Sequence, residues 1–149
     1  MCAFFVGDSM HKYIKILIKE SLKAYKVGDV PVACIIVKDN KIIAKAHNKK
    51  EKNKIATYHA EVLAIQKACK KMKTWHLDDC TLYTTMEPCI MCSGAIIQSR
   101  IRNIVYILEN DQFGNIRNNS YFKNSKYNIQ KIENDEILKI TQNFFKEIR

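Results

Sequence analysis

Glycine and proline are scarce in this chain, four and two among 149 residues, so no stretch has the composition of a flexible linker. There is no internal repeat, which excludes a solenoid or a propeller. No apolar run reaches the roughly 20 residues of a membrane-spanning helix. The opening "MCAFFVGDSM" lacks the basic leader and full hydrophobic region of a secretory signal. The expectation is a cytoplasmic protein that makes no use of a membrane. Acidic residues are few as well, 15 against 25 Lys and Arg, for a net charge of +10. Such a balance admits a nucleic-acid partner, because phosphate contacts supply most sequence-independent affinity. However, 21 of the 25 basic residues are Lys, and Ile and Asn are abundant, which an A/T-rich coding sequence would produce whatever the function. Charge by itself therefore selects no activity.

What is present is enough for one domain, 1–149, with a core that needs no disulfide staples. Of the six cysteines, Cys2, Cys34, Cys69 and Cys80 are scattered through apolar or helical contexts and read as ordinary thiols, while Cys89 and Cys92 form a spaced pair. From Ile14, the residues Leu17, Ile18, Leu22 and Tyr25 recur at three- and four-residue steps, predicting an amphipathic helix that Gly28 stops. "VPVACIIV" and "KIIAKAH" predict a hairpin turning at Asp39 and Asn40. A helix follows over 60–72, with Val62, Ile65, Cys69 and Met72 on one face. "TLYTTM" reads as a strand, 89–98 as a helix and "NIVYIL" as a further strand. After Asn110 comes a long polar loop, with a short strand or turn near 129–132. A last helix starts near Asp135 and buries Ile137, Ile140, Phe144 and Ile148. Strands alternating with helices after a hairpin predict an α/β fold, a three-layer α/β/α sandwich around a central mixed five-stranded sheet.

Two stretches carry the chemistry. "TYHAEVLAI" puts His59 two residues before Glu61 at a helix start, and "MEPCIMC" puts Cys89 and Cys92 three apart at another. Both sulfurs then point to one side, and the positive helix end favours their thiolates. A two-residue cysteine spacing also marks redox sites, and a lone His is more often structural. Taken together, one imidazole and two thiolates match a catalytic zinc site that keeps its fourth position open. Glu61 would then serve as the proton carrier for a water activated there, the requirement for hydrolytic deamination. Its plainer alternative is a first-turn acid that suits the helix dipole.

The pattern His-x-Glu followed by Pro-Cys-x-x-Cys resembles the cytidine-deaminase-like zinc superfamily. Within it, "DVPVACIIVKDNKIIAKAHN", "HAEVLAI" and "TWHLDDCTLYTTMEPCIMCSGAIIQSRI" resemble tRNA-specific adenosine deaminases of the TadA type. That resemblance implies a cytidine-deaminase-like fold and one zinc ion per chain held by His59, Cys89 and Cys92. It implies Glu61 as proton shuttle and adenosine at the anticodon wobble position as substrate, with the tRNA anticodon stem-loop as partner and a homodimer as assembly. It also implies a substrate pocket formed by Asn48, Val30, Pro31, Ala60, Met86, Pro88, Asn110 and Phe145. The chain departs from the family where Tyr58 precedes His59, and where Asn110 stands in place of the usual Asp. The run "NDQFG" is close to that of eukaryotic catalytic subunits.

Two other functions fit the same residues. The first is deamination of a free base or nucleoside, such as guanine or cytosine, at the same zinc site. The second is a non-catalytic zinc module that helps bind RNA, for which Glu61 would have no purpose.

Overall fold

The chain turns back on itself at Asp39 and Asn40, whose φ values of 51° and 61° are the left-handed pair of a tight hairpin turn. This joins β1 (Ala33–Lys38) to β2 (Lys41–His47). The structure, a computed structural model, describes residues 7–148. Cys2 and the first six residues of the opening segment lie outside the described residues. The remaining strands are β3 (Thr81–Met86), β4 (Asn103–Leu108) and β5 (Asn128–Lys131). Their order in the sheet is β2-β1-β3-β4-β5. β1 runs antiparallel to β2 and β3, whereas β3, β4 and β5 are mutually parallel. The helices are α1 (Gly7–Lys26), α2 (Lys50–Asn53), α3 (Ala60–Met72), α4 (Ile90–Gln98) and α5 (Asp135–Glu147).

Alternation along each central strand sends side chains to two separate cores. Cys34, Ile36, Leu82, Ile104 and Tyr106 pack with Ala60, Ala64 and Ala68 of α3 and Ile96 of α4. Ala33, Ile35, Tyr83, Val105 and Ile107 pack instead with Tyr13 and Leu17 of α1 and Ile137 of α5. This is the expected three-layer sandwich with a mixed five-stranded sheet.

Several expectations about individual faces are corrected. α1 begins at Gly7 rather than Ile14, and its buried face is Tyr13, Leu17, Glu20, Ser21 and Ala24, with Leu22 turned outward at 38% exposed. α3 approaches the sheet chiefly on its alanines and Ile65, with Cys69 partly buried against the same core but Val62 and Met72 outside it, because small side chains let a helix lie closer. Ile148 falls past the last turn of α5 and is 62% exposed, and Thr141 takes the buried position between Ile137 and Phe144. The strand near 129–132 is present, a 3-10 turn at Ser120–Lys123 interrupts the expected polar loop, and α2 forms where the sequence suggests no element.

α3 and α4 both start at the carboxyl-terminal side of the parallel strands. Ligands in open α/β sheets bind in that crevice.

Candidate metal centre and substrate cavity

His59 is the N-cap of α3 and Cys89 the N-cap of α4, both with extended backbone, and neither side chain caps its own helix. Each turns inward instead. His59 Nδ1 stands 3.6 Å from Cys89 Sγ and 3.6 Å from Cys92 Sγ. The three ligand atoms lie within 4.8 Å of one another. A tetrahedral zinc with N at about 2.0 Å and S at about 2.3 Å has N to S edges of about 3.5 Å, close to the separations here, so these residues fit the ion the donor set suits. Cys34, Cys69 and Cys80 are free thiols that are not part of that cluster. Burial pushes all three upward in pKa, which suits inert thiols.

The electrostatics of the centre are those of a crowded donor set. Cys89 is held down at about 4, as a thiolate, by the Cys92 thiol beside it and by His59. Cys92 is pushed up by the same contact and by burial, and Cys89 raises His59. A divalent cation would replace the protons now shared among these groups.

Glu61, in the first turn of α3, is 4% exposed, and its Oε1 is buried without a hydrogen-bond partner. Burial raises this carboxyl to about 7, with the Cys89 thiolate adding to the effect and His59 opposing it. A buried polar atom left unpaired costs on the order of 1–3 kcal/mol. Such a cost signals an atom kept for a ligand. Glu61 and His59 face a cavity of about 980 Å³.

Of the other residues the sequence singled out, Val30, Asn48, Ala60, Met86, Asn110 and Phe145 line this cavity. Pro31 and Pro88 do not. They are buried where the chain turns into β1 and α4, and the Pro88 carbonyl accepts from Asn115 N at 2.8 Å. Asn48 has a structural task as well, because Nδ2 donates to Val30 O at 3.2 Å and Oδ1 accepts from Lys50 N at 3.0 Å. Asp29, fully buried, accepts from Glu51 N and Lys52 N. Together the two side chains fasten α2 to the Val30 wall. Tyr58 does not line the cavity; its carbonyl accepts from Lys49 N and steadies the same turn.

The far side of the cavity escaped sequence reasoning. Phe113, Lys131, Glu133, Leu138 and Thr141 belong to it, yet they come from a polar loop and two carboxyl-terminal elements. Only the order of strands beside β4 brings those elements to the metal centre.

The family model of MafB19-like deaminases matches residues 8–149. A tRNA-specific adenosine deaminase of Aquifex aeolicus is 44% identical over 70% of this chain and 69% of its own length. Against further bacterial relatives of that name, from Bacillus subtilis and Streptococcus pyogenes, the chain spans 58% to 61% of their length at 42% to 46% identity. A solved structure from work on A-to-I editing by tRNA:A34 deaminases superposes with a TM-score of 0.78 at 26% identity, covering 87% of this chain and 99% of that one. A guanine deaminase from Bacillus subtilis superposes with a TM-score of 0.62 at 40% identity, covering 66% and 64%.

Proposed function

The chain belongs to the MafB19-like deaminase family, and from that membership we propose that it is a zinc-dependent hydrolase, one deaminase domain that converts adenosine to inosine at the wobble position of a tRNA anticodon. The observation that carries the chemistry is the unpartnered, buried Oε1 of Glu61 in the same cavity as three convergent ligand atoms. The relatives named for tRNA supply the substrate.

His59, Cys89 and Cys92 would hold one zinc ion, which supplies the Lewis acidity that brings the pKa of water at the site to about 7. Glu61 takes a proton from the attacking water at Oε1 and gives it to the purine ring nitrogen beside the reacting carbon. A second transfer through the same carboxyl lets the exocyclic amine leave as ammonia, so adenosine and water become inosine and ammonia. A carboxyl raised from its ordinary value by burial is suited to both directions. Asn48, with one lone pair and one amide hydrogen beyond its two backbone bonds, would read the base edge. Val30, Ala60 and Met86 contribute apolar walls to its pocket.

An unpaired loop base suits this cavity because extrusion costs least there. At about 980 Å³ the cavity stands at the upper end of small-molecule sites, roomier than one free base needs. Exposed rings at its mouth, Phe113 and Phe145, offer stacking to neighbouring bases. Lys50 on the rim, with Lys49 and Lys52 beside it in sequence, offers contacts to phosphate. The assembly we propose is a homodimer acting in the cytoplasm; no described helix is long and apolar enough to cross a membrane.

Deamination of a free base is the second reading, favoured by the likeness to a guanine deaminase. The test is incubation of zinc-loaded protein with an adenosine-bearing anticodon stem-loop. Inosine at the wobble position supports the proposal, and an unchanged loop alongside ammonia released from guanine overturns it.

A further inference from the structure

One wall of the cavity is the segment that follows β4, and a single buried carboxylate holds it. Glu87 sits between Met86 of β3 and Pro88, and its side chain has no exposed surface. Its Oε1 accepts from Asn110 N at 3.2 Å and from Arg117 Nε at 2.8 Å. Its Oε2 accepts from Ile116 N and Arg117 N, each at 3.0 Å. Every one of these donors lies in the segment 110–117. The same stretch is bent onto the metal-ligand turn by Asn115 N donating to Pro88 O at 2.8 Å and Gly114 N donating to Asn110 O at 2.8 Å. Approach at Gly114 is so close that an added Cβ would stand 2.5 Å from Glu87 Oε1.

Arg117 is the only cation among these partners. Its guanidinium also reaches Asp111 Oδ1 at 3.1 Å and Glu109 Oε1 at 3.5 Å. Those carboxylates are 93% and 43% exposed, and exposed pairs contribute little. The bond to fully buried Glu87 is the one that decides the loop, because a buried carboxylate that loses its counter-charge is strongly destabilised. The planar fork of Arg can donate to Glu87 through Nε while its outer nitrogens face the loop carboxylates. A Lys would present one point charge instead.

Arg117 does not line the cavity, but the residues it fixes do. Asn110 and Phe113 both face it. Asn110 Oδ1 accepts from Phe113 N at 3.0 Å, so the two move as a unit. We propose that Arg117 is a positioning residue for substrate fit. By closing the 109–117 loop onto Glu87, it sets Asn110 and Phe113 at the mouth of the cavity. The proposal rests on the deaminase reading only for the identity of the substrate.

The experiment compares wild type with Arg117→Ala, Arg117→Lys and Asp111→Asn. Amide hydrogen exchange reads the loop directly, and steady-state kinetics are taken with whichever of stem-loop or free guanine the wild type turns over faster. Arg117→Ala is expected to exchange about tenfold faster at residues 110, 113 and 116 while β1 and β3 amides keep their protection. Bound zinc should stay at the wild-type level. KM should rise about tenfold with kcat within about threefold, the pattern of lost binding rather than lost chemistry. Arg117→Lys should fall between the two, and Asp111→Asn, which removes only an exposed ion pair, should leave loop exchange at the wild-type level. Unchanged exchange in Arg117→Ala overturns the proposal, as does a fall in kcat or zinc at constant KM. Absence of any turnover by the wild type would contradict the deaminase reading instead, and the exchange result alone would then decide the role of Arg117.

Discussion

Glu20 of α1 accepts from His47 Nδ1 at 3.0 Å, tying the first helix to the last residue of β2. The carboxylate is buried and also takes Lys23 Nζ at 2.7 Å. The bond from His47 comes first among the causes that lower the Glu20 carboxyl from 4.5 to about 2, burial opposing it and Lys23 assisting. The depressed folded-state value means that this contribution to stability is present in full above the unfolded pKa of about 4.5. It is lost as the pH falls from there toward 2. By pH 3 the loss should be about 2 kcal/mol from this group alone. Urea unfolding at pH 7 and pH 3 is the measurement. Glu20→Gln should be less stable than wild type at pH 7, and the gap should narrow at pH 3.

The metal centre gives a second expectation. Purified protein should carry one zinc per chain, and His59→Ala or Cys92→Ser should each lose it together with activity. Elemental analysis checks the count. Zinc retained at full occupancy in either variant would point to other ligands.

Glu61 separates chemistry from folding. Because its Oε1 is buried without a partner, replacing it relieves a cost the fold bears. Glu61→Ala should keep its zinc and its melting temperature, or raise the latter, while turnover falls by about a hundredfold or more. Calorimetry and single-turnover assays read the two effects independently.

Asn48 is expected to matter twice. Removal of its amide strips Lys50 N and Val30 O of their partners, so Asn48→Ala should cost about 1–2 kcal/mol of stability and also lower turnover of the correct loop. Alanines at Lys49, Lys50 and Lys52 should instead weaken every RNA alike and make binding less salt-dependent. Binding titrations at two salt concentrations distinguish the two patterns.

How much of this the sequence already contained depends on how local the signal is. The Asp39 and Asn40 turn, the His59 and Glu61 pair and the Cys89 and Cys92 pair each lie within a few residues, so spacing alone exposes them. Periodicity places Leu22 and Val62 on apolar helix faces but cannot say which side of a helix a sheet will occupy. Glu87 gave no sign of its role, because its four bonds all come from residues at least 23 positions away. Leu138 reaches the cavity through the parallel placement of β4 and β5, and Phe113 through the loop that Glu87 holds. Asn48 and Asn110 entered through family likeness, and their positions on the wall follow from bonds to Val30, Lys50 and Glu87 that no spacing reveals.

The most direct measurement is the ratio of kcat/KM for adenosine in an anticodon stem-loop to that for free guanine and free cytosine, all with zinc-loaded wild type. The account expects the stem-loop to be preferred, with inosine as the product. Faster turnover of either free base than of loop adenosine would contradict it.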